Sequence, residues 1–187
     1  MPRLRDVSNG MYGAWRLARL DPAAMAWFDR SHNAVWRSFW AAAIAYPGLI
    51  LVVMLRLDAE QWTAAEALRI LLVESIGYVA SWAAFLLVVL PFCHWLERDE
   101  QSLDFVIAYN WSQVLQTALS IAALLAVKAL PEPLAGVIAL AIVLAQLGYE
   151  WFIARTALEA GGVAATVVVL IDLVLSQVVS QVTQSLY

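Results

Sequence analysis

VAATVVVLIDLVLSQVVSQVTQ, residues 163–184, is apolar over most of its length and carries one ionisable residue, Asp172. A helix rises about 1.5 Å per residue and the hydrocarbon core of a bilayer is about 30 Å thick, so roughly 20 apolar residues cross it once. Four earlier stretches have the same character. The sequence therefore predicts an all-α, polytopic integral membrane protein with five transmembrane helices, at residues 39–57, 68–95, 104–129, 134–153 and 163–184.

The overall composition predicts the same class of protein. Hydrophobic residues make up 63% of the 187 residues and charged residues 14%, which is too apolar for a soluble domain of this size. The formal net charge of −4 argues against a nucleic-acid partner. Ten arginines against one lysine, with abundant alanine, indicate a GC-rich bacterial genome. We therefore expect a multi-pass protein of the bacterial inner membrane.

The distribution of basic residues predicts how the chain is inserted. The arginine-rich segment before span one, together with Arg98 and Arg155 in the second and fourth loops, falls on one side of the membrane. Arg56, Arg69 and Lys128 fall on the other side. Because the side richer in basic residues is normally cytoplasmic, the N-terminus is predicted to be cytoplasmic and the C-terminus outside. An odd number of spans requires the same split.

The cytoplasmic segment, residues 1–38, is expected to contain an amphipathic helix that lies in the inner membrane interface. Asp21 and Pro22 form a strong helix start, because aspartate accepts from free amides and proline suits the first turn. We expect this helix to continue through Trp40, and a solvated extension of span one is the alternative. Its aromatic and basic side chains would contact headgroups and anionic lipid: Trp27, Arg30, Trp36, Arg37 and Trp40.

Polar side chains recur at helical spacing in three of the spans. Asp172 lies near the middle of span five, where a charged aspartate costs about 3 kcal/mol on insertion scales. No basic residue lies at its depth, so we expect the carboxyl to be protonated or hydrogen-bonded to facing helices. The three rows predict an intramembrane polar seam of Asp172, Ser176 and Ser180 in span five, Asn110, Gln113, Gln116 and Ser120 in span three, and Glu74, Tyr78 and Ser81 in span two.

This polar seam has two interpretations. It could line a path for protons or cations through the membrane. Alternatively, its side chains could form interhelical hydrogen bonds, each worth roughly 0.6 to 2 kcal/mol, with Asp172 as a neutral donor. Small residues four apart, such as Ala141 and Ala145, would allow close helix contacts within a compact bundle, a homo-oligomer or a larger membrane complex.

The sequence contains no recognised catalytic or cofactor motif. His32, Cys93 and His94 supply too few ligands for zinc at no recognised spacing, so no metal or cofactor is predicted. No phosphate-binding glycine loop and no nucleophile paired with a base is apparent. We therefore expect a protein that is not an enzyme. A lipid-processing enzyme would require Glu74 or Glu150 inside a cavity.

Two segments of the chain resemble a known membrane-protein family. They are DPAAMAWFDRSHNAVWRSFW, residues 21–40, and HWLERDEQSLDFVIAYNWSQVLQ, residues 94–116, which opens span three. Together with five closely spaced helices, they resemble bacterial members of the Yip1 family. The resemblance implies a five-helix protein with a cytosolic N-terminus, whose eukaryotic relatives act as trafficking adaptors and membrane-shaping scaffolds. The eukaryotic Asp-Leu-Tyr-Gly-Pro signature is missing, so binding to small GTPases is not implied.

These observations lead to two functional hypotheses. The first is a Yip1-like membrane scaffold or accessory protein that acts through helix–helix and membrane-surface contacts, including contacts with anionic lipid. The second is a small proton or cation channel or transporter that uses Asp172 and the polar faces of spans three and five. Loss of flux on Asp172→Asn would favour the second, and a neutral substitution would favour packing.

Overall fold

The computed structural model describes residues 3–56 and 63–186, which form helices joined by short turns. A 3₁₀ helix, Pro22–Trp27, lies between the first two α-helices. Five helical segments are long and apolar enough to cross a membrane, the first being α2 and α3 together. The prediction of a helical protein with five candidate spans is therefore confirmed. The α-helices are α1 (Leu4–Ala18), α2 (His32–Ser38), α3 (Trp40–Arg56), α4 (Ala64–Trp95), α5 (Asp99–Ala129), α6 (Glu132–Ala157) and α7 (Gly162–Gln184).

Several helices are longer than the spans that hydropathy indicated. Helix α4 begins at Ala64 rather than 68, α5 at Asp99 rather than 104, and α6 ends at Ala157 rather than 153. Acidic residues such as Asp99 stabilise the first turn of a helix through its dipole, although they lower the hydropathy of that turn. Leu57, the predicted end of span one, lies outside the described residues.

The helix that was predicted to run from Asp21 to Trp40 is interrupted in the structure. Asp21 does begin a helical turn, because its carboxylate accepts a hydrogen bond from the Ala23 N–H at 3.0 Å. The 3₁₀ helix then ends, and the Asp29 carboxylate accepts from the Ser31 N–H at 3.0 Å. Ser31 in turn caps the start of α2. Short polar side chains that bind nearby backbone groups compete with a continuous helix. The periodicity of apolar residues does not reveal these local hydrogen bonds.

Helix α1 was not predicted, and it packs directly against α5 and α6. Gly10 brings the α1 backbone against the Trp111 indole of α5, so that a Cβ at position 10 would overlap that ring. The Tyr149 hydroxyl of α6 donates to the Ala14 carbonyl of α1 at 2.7 Å. These two contacts fix α1 on the side of the bundle.

Helix α5 lies at the centre of the bundle. It contacts α1, α2, α3, α4 and α6, and the side chains of residues 105–112 are buried on every face. Asn110 Nδ2 donates to Ser38 Oγ at 2.7 Å, which ties α2 to this helix. Helix α4 instead packs mainly against α7, where Gly77 meets Thr183. A space remains that is bounded by α3, α4, α5 and α7.

Gly10→Ala is expected to loosen α1 from the bundle. The added methyl group would meet the buried Trp111 ring, and overpacking of this kind costs about 1–3 kcal/mol. We expect a lower thermal unfolding temperature of the detergent-purified protein and faster proteolysis within residues 3–20.

Gly148→Ala is the matched control for this substitution. Apart from its chain neighbours and the backbone of its own helical turn, no atom of the described residues lies within 4 Å of a Cβ at position 148. Alanine also stabilises a helix interior by about 0.5–1 kcal/mol relative to glycine, so both readouts should stay unchanged or improve. Equal losses in the two variants would contradict the docking of α1.

Candidate functional site

A cavity of about 230 Å³, lined by apolar and polar side chains, lies between α3, α4, α5 and α7. Carboxyl, amide, hydroxyl and aromatic groups face this space, although the helices around it are mostly apolar. Its lining consists of Leu49 from α3, Glu74, Gly77, Tyr78, Ser81 and Trp82 from α4, Tyr109 and Gln113 from α5, and Asp172, Ser176, Val179, Ser180 and Thr183 from α7.

Helical spacing explains why these side chains meet. Residues three or four apart lie on one face of a helix, so Asp172, Ser176 and Ser180 form one row along α7. Glu74 and Tyr78 form a second row along α4. Because α4 and α7 pack together, the two rows face the same cavity.

Asp172 is held by groups from two other helices. The Tyr109 hydroxyl of α5 donates to Asp172 Oδ1 at 2.9 Å. The Glu150 carboxyl of α6, which is only 4% exposed, lies close to the Asp172 carboxyl. No N–H or O–H of a described residue donates to Glu150 Oε1. Two neighbouring carboxyl groups in apolar surroundings are costly to ionise together, so we expect Asp172 and Glu150 to form a carboxyl pair that retains a proton.

An aromatic cluster fixes the position of Tyr109. The Phe85 ring stacks on it with a centroid separation of 4.4 Å, and the Trp82 ring meets it edge-on at 6.5 Å. Tyr78 extends the cluster towards α3, where its hydroxyl donates to the Ala42 carbonyl at 3.0 Å. The donor to Asp172 is therefore held in place on several sides.

The structure brings most of the polar seam residues to this cavity, but three of them lie elsewhere. Asn110 is buried against Ser38, as described above. Gln116 and Ser120 face α6, where Gln146 Nε2 donates to the Gln116 carbonyl at 2.9 Å and to Ser120 Oγ at 3.0 Å. Because other helices surround α5, side chains that are close in its sequence contact different neighbouring helices. The residues at the cavity are Asp172, Ser176, Ser180, Gln113, Glu74, Tyr78 and Ser81.

Glu150 and Tyr109 were not included in the predicted seam. Glu150 did carry a signal, because an ionisable residue inside a span is costly and usually has a specific partner. Tyr109 carried none, since a tyrosine in an apolar helix is ordinary. Placing either residue beside Asp172 requires knowing which helices are neighbours.

The two arginines that were expected at the membrane surface are engaged within the protein. Arg37 forms ion pairs with Asp6, at 3.3 Å, and with Asp29. Arg30 lies 3.3 Å from Asp104 of α5. The tryptophans of the same set keep large exposed areas, at 40% for Trp27, 75% for Trp36 and 42% for Trp40.

The carboxyl pair does not by itself make a site for a divalent metal. Calcium and magnesium take six or more oxygen ligands, and structural zinc takes four nitrogen or sulfur ligands. Within residues 3–56 and 63–186, no three His, Cys, Asp or Glu side chains group as metal ligands.

Cysteine labelling tests whether water enters the cavity. Cys93 is the only cysteine of the sequence and is buried, so Cys93→Ala gives a suitable background. In that background, Ser180→Cys should react with a charged thiosulfonate reagent about tenfold faster than Val178→Cys, because the reactive thiolate forms only in contact with water. Val178 is the control, since it is 51% exposed and is not part of the lining. Equal rates would show that the cavity is dry.

Comparison of the chain with protein-family models, curated proteins and solved structures finds no match. The resemblance to the Yip1 family therefore stays a prediction.

Proposed function

We propose that this chain is a small membrane transport protein for protons or monovalent cations. The observation that supports this proposal is the pair of neighbouring carboxyl groups, Asp172 and Glu150, of which Asp172 lines the cavity. Ionisable groups within membrane spans are costly to retain and often mark ion or proton pathways. Asp172 is the proposed carrier, and Glu150 is its partner.

The groups around the pair support an exchange of a proton for a cation. When the shared proton leaves, the pair gains a negative charge that the apolar surroundings cannot stabilise. A cation in the cavity could offset that charge, with oxygen ligands from Gln113 and Ser176. Tyr109 can donate to the Asp172 carboxyl in either state, so the carboxyl keeps its position during the exchange.

We further propose an orientation with the N-terminus in the cytoplasm of a bacterial cell and the C-terminus outside. The bias of basic residues supports it. In that orientation the lining runs from Asp172, near mid-membrane, towards Glu74 and Thr183 in the outer half. Labelling of Ser180→Cys by a membrane-impermeant reagent added to spheroplasts tests this orientation.

Flux measurements in proteoliposomes test the transport proposal. Wild type should carry protons or monovalent cations above the level of empty liposomes. Asp172→Asn and Glu150→Gln keep the shape of each side chain but remove its ionisable group. Each should lower the flux by about tenfold or more, because the carrier can then no longer exchange its proton.

Glu159→Gln is the control for these variants, since Glu159 lies in the turn between α6 and α7, away from the cavity. It should retain wild-type flux. Insertion and oligomeric state should be matched between all samples. Wild-type flux no higher than that of empty liposomes, or full flux in Asp172→Asn, would overturn the proposal.

A second candidate function is the Yip1-like scaffold or accessory protein, which acts without catalysis through lipid and helix contacts. It is supported by the exposed face of α1, where Arg19 lies 4.8 Å over the Trp15 ring and Arg16 lies 5.9 Å over Tyr12. Arginine beside exposed aromatic rings suits a layer of anionic headgroups. Ala145 on the exposed face of α6 would permit a homo-oligomer.

Lipid retention tests this second candidate. A basic residue near an anionic surface contributes about 1 kcal/mol, equivalent to about fivefold in affinity. Arg19→Gln should therefore lower the retention of phosphatidylglycerol relative to phosphatidylcholine by about that factor, as measured by native mass spectrometry. Arg56→Gln, at the opposite end of span one, is the control and should retain anionic lipid as wild type does. No difference between the two variants would remove this role of α1.

A further inference from the structure

The walls of the cavity combine aromatic rings with carboxyl groups. The Tyr78 and Trp82 rings lie 5.9 Å apart between centroids, and Trp82 and Tyr109 lie 6.5 Å apart. All three rings line the cavity together with Asp172 and Glu74. The electron-rich face of an aromatic ring attracts a cation that lies within about 6 Å of its centre.

The charge of the lining has a single sign. Among the described residues that line the cavity there are two carboxyl-bearing side chains and no Lys, Arg or His. A site with this lining disfavours anions and favours positively charged ligands. Ser81, Ser176 and Gln113 supply additional oxygen atoms, but only on part of the wall.

The size and the mixed lining of the cavity distinguish between classes of cation. A volume of about 230 Å³ equals the share of roughly eight water molecules in the liquid, and therefore suits a small ligand with no more than about that number of non-hydrogen atoms. A bare metal cation prefers oxygen ligands on all sides. An alkylammonium ion can instead place its charged nitrogen near a carboxylate and its alkyl groups against aromatic rings.

We infer that the cavity binds a small alkylammonium ion, with its charged group beside Asp172 and its alkyl groups against Trp82 and Tyr78. This inference rests on the proposed function, because both take the cavity as a cation site, and it adds the chemical class of the cation. The aromatic wall selects for alkyl substituents, and the carboxyl groups select for positive charge. A neutral molecule of the same shape should bind more weakly.

Isothermal titration calorimetry tests the inference with tetramethylammonium chloride as the probe. The full chain is purified in a maltoside detergent, which carries no ammonium group. Wild type should bind tetramethylammonium, whereas tert-butanol, a neutral molecule of similar shape, should show no binding at the same concentration. Sodium chloride at matched ionic strength controls for a general salt effect.

Three substitutions define the contribution of the cavity walls. Trp82→Leu and Asp172→Asn should each weaken tetramethylammonium binding by about tenfold, because one removes an aromatic face and the other a carboxylate. Trp82→Phe restores an aromatic face and should recover most of the affinity lost in Trp82→Leu. Trp95→Leu, at the exposed end of α4 and outside the lining, should bind as wild type does. Thermal unfolding of each variant establishes that it is folded.

The binding results test the alkylammonium site, and the flux results test transport. Absence of tetramethylammonium binding to folded wild type overturns the inference, and persistent proton flux in the same preparation leaves the transport proposal standing. Unchanged binding in folded Trp82→Leu, or equal binding of tert-butanol, also overturns the inference. Binding that depends on Trp82 and Asp172 and is recovered by Trp82→Phe supports it, whatever the flux measurement gives.

Discussion

The polar groups inside a hydrocarbon layer have no water to bind, so each must find its partner within the protein. In this chain the requirement is most severe at the carboxyl pair, where three helices each contribute one group. Tyr109 comes from α5, Glu150 from α6 and Asp172 from α7. Apolar side chains could pack these helices in many rotations, whereas the three polar groups meet in few of them. The pair therefore defines how α5, α6 and α7 face one another.

The five candidate spans could be predicted because the apolar length of a segment is a local property of the sequence. The arrangement of the N-terminal segment could not. Helix α1 is only partly apolar, and its position depends on Gly10 meeting Trp111, about a hundred residues further along the chain. The interruption before α2 depends on which short polar side chain binds which backbone amide. The periodicity of apolar residues describes neither contact.

The candidate site was partly predictable for a related reason. The row from Asp172 to Ser180 follows from helical spacing, since all of its members lie on one helix. The partners of Asp172 lie on other helices, and short loops do not reveal which helices are neighbours or how each is rotated. Asn110 illustrates the difficulty, because its polarity suggested the seam while its partner is Ser38 of α2. A residue's polarity indicates that it needs a partner, but not where the partner is.

Tyr149 and Glu150 are consecutive residues of α6, and they point in directions about 100° apart around the helix axis. Tyr149 is bonded to the backbone of α1, and Glu150 meets Asp172 of α7. A rigid helix cannot turn one of these side chains without turning the other. The contact between Tyr149 and α1 thus restricts the rotation of α6 about its axis. Helix α1 thereby helps to align the two carboxyl groups, although it contributes no atom to the cavity lining.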